Sequence, residues 1–233
     1  MLGNTGGGIE MYEKSESNWK TCDLLSCHNY WHYALYFIEN GQYEQAFDIY
    51  RDHIEPKSLT IDFVLNYVDA CSFLYRLELV EQQRRHSNWQ SLFNTTKRHF
   101  DDHALGFNDA HYMMAALGAM KYEEADEIVR TLDTDSTTYR ITRVLLQGMI
   151  AYERGQYAQA VDILNPTRYD WIQLGGSDAQ RDAFHQLLVM AAIKSPDERH
   201  RKLAERLIVE RNQFKEVSPL NQILIEVLNK QEN

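Results

Sequence analysis

The sequence predicts an all-α fold built from helical hairpins. Its apolar residues seldom alternate in twos and mostly recur in threes and fours, which is the spacing of helix faces. The 233 residues include only 4 prolines and 11 glycines, so most of the chain is free of helix breakers. An internal repeat supports the same fold class: GQYEQAFDIY at 41–50 recurs as GQYAQAVDIL at 155–164, with a weaker copy, MKYEEADEIV, at 120–129.

The repeated signature has the chemistry of a turn between two antiparallel helices. Gly41 ends the first helix, because glycine enters the left-handed conformation at little cost. Tyr43 packs back over the turn, and Ala46 is small enough to let the second helix approach the first. One hairpin has too little core to stand alone, so the repeats predict hairpins stacked as an α-solenoid.

The first elements follow from this pattern. The segment CHNYWH at 27–32 predicts the first helix of a hairpin, and NGQYEQA at 40–46 predicts its turn and return. A break is predicted at Glu55-Pro56, because a residue before proline disfavours the helical conformation. The long gap between copies predicts a degenerate hairpin, with one helix over residues 60–76 and another over residues 89–100.

Helix start signals place the later elements. Ser177 followed by Gln180 predicts a capping box before a helix over residues 178–193. The sequence SPDE at 195–198 predicts another start, with its serine as the cap and proline in the first position. Ser-Pro at 218–219 opens a last helix that runs to about residue 229. Breaks are predicted at residues 133–137, 165–166 and 169–176. With ~12 residues per helix and short connections, the chain is expected to hold about ten to twelve helices.

Composition narrows the class of protein. A formal net charge of −10 argues against nucleic-acid binding, which requires a basic face. Three cysteines, Cys22, Cys27 and Cys71, suit a reducing cytosol better than a disulfide framework. The longest apolar run, residues 187–193, is too short to span a bilayer. We therefore expect a cytoplasmic protein without a membrane partner.

Domain organisation is predicted to be simple. Four of the first eight residues are glycine, which predicts a flexible glycine-rich N-terminus over residues 1–8. No later segment has the composition of an interdomain linker. The sequence therefore predicts a single helical-repeat domain over residues 9–233.

The chain resembles a known family from about Ile9 to Leu228. The likeness lies in NWKTC at 18–22, CHNYWHYALY at 27–36, GFNDAHYMMAALGA at 106–119 and LGGSDAQRDAFHQLL at 174–188. In this order the segments resemble the tetratricopeptide repeat protein 38 family. The resemblance implies a cytosolic superhelix of tetratricopeptide-like hairpins and brings no established catalytic residues. Family members are about twice as long, and this chain resembles their C-terminal half, so an absent N-terminal half is one expected partner.

Histidines are the main candidates for chemistry. On a helix, His28 and His32 share a face, as do His99 and His103, with His111 on the next helix. Two such pairs brought together would bind zinc, so the alternative function is a metal-binding protein or hydrolase-like enzyme built on these five residues. Packing at helix interfaces accounts for the same residues, and the sequence lacks His-Glu-x-x-His and Cys-x-x-Cys. We therefore expect no metal, cofactor or catalytic residue.

Two further patterns are interpreted as structural. Cys27 precedes His28, but adjacent helical residues point about 100° apart, so the imidazole is poorly placed to activate the thiol. The segment LGGS at 174–177, with Arg181 one turn later, resembles an anion cradle. A tight turn followed by a capping box explains the same residues.

The sequence also predicts a binding surface. An α-solenoid presents a concave face made by the first helix of each pair, and aligning the three signatures selects soft and aromatic residues for it. The predicted groove residues are His28, Trp31, Leu35, Phe107, Met114, Leu145 and Met149. Such a face suits a partner peptide or helix, and it would equally dock the absent N-terminal half. The sequence thus favours a non-catalytic scaffold that binds a protein or peptide, with a purely structural part of a longer chain as a further alternative.

Overall fold

The computed structural model describes residues 4–22, 25–132, 136–214 and 218–230. Within these ranges every regular element is helical, so the all-α prediction is confirmed. A π-helical turn at Tyr50–Ile54 joins the third segment to the fourth, so the thirteen α-helical segments in these ranges make twelve helices, as many as the sequence predicts at most. The segments are α1 (Thr5–Trp19), α2 (Ser26–Glu39), α3 (Tyr43–Ile49), α4 (Glu55–Thr60), α5 (Val64–Glu81), α6 (His86–Thr96), α7 (Gly106–Gly118), α8 (Tyr122–Thr131), α9 (Thr137–Glu153), α10 (Tyr157–Leu164), α11 (Asp178–Lys194), α12 (Glu198–Phe214) and α13 (Pro219–Lys230).

The chain forms two compact units, where the sequence predicts one domain over residues 9–233. Unit 1 comprises Met1–Glu81 together with Glu205–Asn233, and unit 2 comprises Gln82–Ala204. The division falls within the predicted degenerate hairpin, between its two helices. Helix α5 packs on α2 within unit 1, whereas α6 packs on α7 within unit 2.

The three copies of the repeated signature form the same turn. Gly41, Met120 and Gly155 take positive φ angles of 71°, 57° and 72°. In each copy, the next backbone N–H bonds the carbonyl five residues back, which is a Schellman motif. These bonds run from Gln42 to Phe37 (2.9 Å), from Lys121 to Ala116 (2.8 Å) and from Gln156 to Ala151 (2.9 Å). The turns join α2 to α3, α7 to α8 and α9 to α10, so the three predicted hairpins are present.

The small residue of each signature packs as predicted. Ala46, Ala125 and Ala160 are at most 1% exposed. Helix α2 contacts α3, α7 contacts α8, and α9 contacts α10. A larger side chain at any of these alanines would push the two helices of a hairpin apart.

Unit 1 is organised around α2, which packs against α1, α3, α5 and α13. The predicted flexible N-terminus is helical from Thr5 onward, and residues 1–3 lie outside the described residues. Asn4 caps this helix, because its side chain accepts a hydrogen bond of 2.9 Å from the Gly7 N–H. Gly8 lets α1 approach α2 closely, since a methyl group there would overlap the ring of Tyr36.

The sequence predicts a break at Glu55-Pro56, but the helix continues there because it widens locally into a π-helical turn. Residues Tyr50–Ile54 form a π-helical turn, and Glu55 donates its N–H to the Tyr50 carbonyl. Pro56 then lies in the first turn of α4, where its missing N–H leaves no helical bond unmade. The π turn thus absorbs the proline without ending the helix.

Unit 2 builds outward from α7. Helix α6 packs on α7, α7 packs on α8 and α9, and α10 packs on both α9 and α11. Trp89, Trp171 and Phe184 are fully buried at the centre of this packing. Gly118 makes room for Trp89, because a methyl group there would overlap the indole ring.

The predicted helix starts are confirmed at Ser177 and Ser218 and differ at Ser195. Ser177 and Gln180 form the full capping box, and the Ser218 hydroxyl accepts from the Asn221 N–H at 3.2 Å. At the start of α12 the capping side chain is Asp197, which accepts from the Arg199 N–H at 2.8 Å. Ser195 instead ends α11 and bonds His200, so the aspartate displaces the serine as the cap.

Candidate functional site

The structure places six of the seven predicted groove residues in the core. Trp31, Leu35, Phe107, Met114, Leu145 and Met149 are between 0 and 5% exposed. Only His28 remains partly open, with 21% of its side chain exposed. A partner on the surface cannot contact the six buried side chains, so they stabilise the units and do not line a groove.

The predicted groove is filled by other parts of each unit. In unit 2, the Phe184 ring lies 6.2 Å from the Phe107 ring and 5.9 Å from His111. In unit 1, the Trp31 ring stacks on His28 at 5.2 Å, and the Arg76 guanidinium lies 5.8 Å from its centroid. The periodicity of a sequence identifies the apolar face of a helix but not what packs on that face. The sequence therefore could not distinguish residues that line a groove from residues that are buried in the core.

An open groove of about 380 Å³ lies elsewhere on unit 2, along α9 and between α8 and α10. Its floor is apolar and is made by Ile150 and Ala151 of α9. Val129 of α8 and Ile163 of α10 line its sides. Because consecutive helices of the hairpins run antiparallel, Val129 and Ile163 lie toward the same end of the groove.

The rim of this groove is polar and carries no net charge. The side chains of Gln147, Gln156 and Gln159 are exposed and make no hydrogen bond to a described residue. Arg154 reaches across the groove to Asp126, with Nη2 3.0 Å from the nearer carboxylate oxygen. Three carboxamides and one ion pair therefore surround an apolar floor.

Sequence reasoning missed these rim residues although the signal was present. Gln156 and Gln159 belong to the repeated signature, where Gln42 and Gln45 occupy the same places. The sequence interpretation used the glycine, tyrosine and alanine of that signature and left its glutamines without a role.

The two candidate histidines of unit 1 form a pair, and no third metal ligand joins them among the described residues. The His28 and His32 rings lie 4.6 Å apart on one face of α2, as the sequence predicts. His28 Nδ1 lies 3.0 Å from the fully buried Asp69 carboxylate. Burial raises the pKa of Asp69, while the Asp69 partner outweighs burial and raises the pKa of His28. Burial lowers the pKa of His32 to about 4.

The histidines of unit 2 each have separate partners. His99 and His103 do not share a helix face, because the helix ends at His99 and His103 has a φ of 41° in the loop before α7. His99 bonds Asp102 at 2.7 Å, and the fully buried His111 lies 2.7 Å from the Phe107 carbonyl. Across the described ranges, no group of three or more His, Cys, Asp or Glu side chains is arranged to hold a metal ion.

His103 lies between a carboxylate and a hydroxyl group. Its Nδ1 is 3.1 Å from Oδ1 of Asp109, and its Nε2 is 2.9 Å from Oγ1 of Thr131. Asp109 is fully buried, and burial raises its pKa. Tyr139 donates a hydrogen bond to the His103 carbonyl, which fixes the backbone of the same residue.

Cys27 and the LGGS segment take the structural roles expected of them. Cys27 is fully buried, and burial raises the pKa of its thiol, so the reactive thiolate is disfavoured. Arg181 donates to the carbonyls of Gly175 and Gly176 and pairs with Asp178. The guanidinium therefore closes the turn and is not directed at an anion.

No protein-family model matches this chain, and no solved structure matches it. Among the described residues, no helix combines the length and apolar character needed to cross a membrane.

Proposed function

We propose that this chain is a non-catalytic, tetratricopeptide-like scaffold of the cytosol that binds an extended segment of a partner protein. The observation that carries the proposal is the groove along α9, with its free carboxamides above an apolar floor. The resemblance to the tetratricopeptide repeat protein 38 family and the three matching hairpin turns agree with such a scaffold.

The chemistry of the rim favours an extended peptide as the occupant. A glutamine side chain both donates and accepts hydrogen bonds, as does each peptide group. An extended strand turns alternate side chains to opposite sides, so every second side chain can contact the apolar lining at Val129 and Ile163, which are half-buried. A helix satisfies its own backbone groups and would leave Gln147, Gln156 and Gln159 unused.

The ion pair at one end of the groove is available to a ligand. Arg154 and Asp126 are 47% and 54% exposed, and exposed pairs contribute only about 0–1 kcal/mol. Only Nη2 of Arg154 bonds Asp126, so its other N–H groups remain free to contact a partner. Binding can therefore proceed without first breaking a strong internal interaction.

The test is site-specific photo-crosslinking of the full chain in cells. A photoreactive phenylalanine replaces Gln159 on the rim, and in a matched control it replaces Gln173, an exposed glutamine outside the groove. We expect a partner that is captured from position 159 and not from position 173. An Arg154→Ala exchange in the position-159 protein should reduce the yield of that adduct.

The outcomes separate the proposal from its alternatives. The same adducts from both positions, or none from position 159 in a folded protein, would refute the groove as the binding site. Mapping the captured segment shows whether it is extended or helical. Capture of a helix from a longer helical array would indicate that the groove docks an absent half of the same array instead.

A further inference from the structure

Thr131, His103 and Asp109 form a continuous hydroxyl–imidazole–carboxylate chain. Thr131 is the last residue of α8, His103 precedes α7, and Asp109 lies in the first turn of α7. The two links measure 2.9 Å, from Oγ1 to Nε2, and 3.1 Å, from Nδ1 to Oδ1. A hydroxyl on one ring nitrogen and a carboxylate on the other is the arrangement by which enzymes activate a nucleophilic hydroxyl.

The imidazole is held in one orientation. Asp109 is fully buried, and its second oxygen, Oδ2, has no hydrogen-bond partner among the described residues. The polar contact of this carboxylate is therefore with His103. The backbone of His103 has a positive φ of 41°, an unfavourable conformation for a non-glycine residue, and the Tyr139 hydroxyl fixes its carbonyl there.

The Thr131 hydroxyl can direct its proton toward the imidazole. It bonds the Glu127 carbonyl at 3.0 Å, and the His103 nitrogen lies at a comparable 2.9 Å. Rotation about the Cβ–Oγ1 bond exchanges one acceptor for the other. Thr131 is also exposed, so a small ester can reach Oγ1 from solvent.

A cationic donor lies beside the same position. Arg143 of α9 donates from Nη2 to the carbonyl of Leu132, the residue after Thr131, at 2.7 Å. Its Nε is buried and has no hydrogen-bond partner within the described parts of the chain. The contact with Leu132 holds the backbone that follows Thr131 in place.

We propose that Thr131 is a nucleophile that accepts acyl groups from activated esters, with His103 as its general base and Asp109 as the residue that positions the imidazole. Oγ1 forms a bond to the acyl carbon while Nε2 of His103 takes the hydroxyl proton. The bond between the acyl carbon and the leaving oxygen then breaks, and His103 passes its proton to that oxygen. The product is an acyl-threonine ester. The reaction ends at this ester, so it modifies the chain itself and turns over no substrate. It goes beyond partner binding and is independent of it.

The experiment treats the full chain with p-nitrophenyl acetate and locates acetyl groups by mass spectrometry of acid-quenched samples. Thr60 is a control within the same molecule, because it is exposed, ends α4 and bonds the Pro56 carbonyl as Thr131 bonds that of Glu127. Positioned general bases contribute roughly 100-fold or more, so we expect Thr131 to be acetylated about 100-fold faster than Thr60. Equal rates at the two threonines would overturn the proposal.

Variants test the role of each group. Thr131→Val should abolish the fast reaction, and His103→Asn, which tolerates a positive φ, should lower acetylation of Thr131 to the rate at Thr60. Asp109→Asn should also slow it, because an amide that donates to Nδ1 leaves the proton on Nε2. Unchanged circular dichroism establishes that each variant is folded. An undiminished rate in folded His103→Asn would refute the general base.

A pH–rate profile separates chemistry from structure. The pH dependence of Thr131 acetylation should differ between the native chain and His103→Asn, because only the native chain has an imidazole in contact with Oγ1. Asp109 and Tyr139 contact His103 directly and Asp102 acts on Asp109, and none of these three groups is altered in that variant. A profile shared by the native chain and His103→Asn would overturn the assignment.

Discussion

At the scale of single residues, Met120 shows what the repeated turn demands of its backbone. It occupies the place of Gly41 and Gly155 and takes the same left-handed conformation, with a φ of 57°. A side chain in that region costs about 1–2 kcal/mol, and Met120 is 53% exposed and so recovers little by packing. The third copy of the signature therefore folds at a cost that the other two avoid.

Replacing this methionine should stabilise unit 2. We expect Met120→Gly to raise the free energy of unfolding by about 0.5–1 kcal/mol, the strain relieved less the extra freedom of glycine in the unfolded chain. Urea unfolding followed by circular dichroism measures the change. Gly155→Ala is the matched control, because a methyl group there would meet nothing within 4 Å and only strain is added. A stabilising Gly155→Ala would contradict this account.

His32 should make the fold sensitive to acid. Burial lowers its pKa to about 4 from an ordinary value of 6.5, and the charges of His28 and Arg76 act in the same direction. Between these values the unfolded chain binds a proton that the folded chain does not. The contribution to stability is therefore complete above pH 6.5 and is lost as the pH falls toward 4, by at most roughly 1.4 kcal/mol per pH unit.

The comparison that isolates this effect uses His32→Gln, which cannot take up a proton. Urea unfolding at about pH 7 and about pH 5 gives the loss of stability for each protein, and the window follows from the two pKa values. We expect the native chain to lose more than the variant. Equal losses in the two proteins would show that other groups dominate acid unfolding.

At the scale of elements, α1 depends on the close approach of one glycine. Gly8 packs against the Tyr36 ring of α2, whereas Gly6 lies two residues earlier, on roughly the opposite side of the same helix, and a methyl group there would meet nothing within 4 Å. The same substitution at the two positions should thus act in opposite directions. Gly6→Ala gains helix propensity of about 1 kcal/mol, while Gly8→Ala places a methyl group where the ring lies.

Hydrogen exchange in residues 5–19 measures the difference. We expect slower exchange in α1 for Gly6→Ala and faster exchange for Gly8→Ala, because only the second change undocks the helix. Exchange in the helices of unit 2 serves as the internal reference. Faster exchange in both variants would mean that α1 does not tolerate alanine for some reason other than the Tyr36 contact.

Elements were predictable where local chemistry decides them. The three hairpin turns and the Ser177 capping box follow from short signatures whose hydrogen bonds close within a few residues. The continuation of α3 into α4 was not predictable, because the π turn at Tyr50–Ile54 allows Pro56 to lie in a continuous helix. A proline in sequence marks a lost N–H, but the backbone geometry around it determines whether the helix stops.

At the scale of the whole molecule, short sequence signatures do not predict which helices pack together. The helices α5 and α6 follow one another in sequence like a hairpin, yet they pack in different units. For the candidate site, the sequence identified the apolar faces of α7 and α9. It did not predict that Met114 and Met149 on those faces are fully buried. Long-range packing also brings Thr131 to His103, 28 residues apart along the chain. No spacing rule relates these two residues.

The composition of unit 1 from two separated stretches has a consequence for synthesis. The segment that forms unit 2, Gln82–Ala204, is synthesised before Glu205–Asn233, the stretch that completes unit 1. Glu39 of α2, which is 3% exposed in the folded chain, accepts its hydrogen bond from Ser218. All residues of the second unit are therefore in the chain before the Ser218 hydroxyl that bonds this carboxylate has been added. Domains that fold as units during synthesis need not be completed in the order of their first residues.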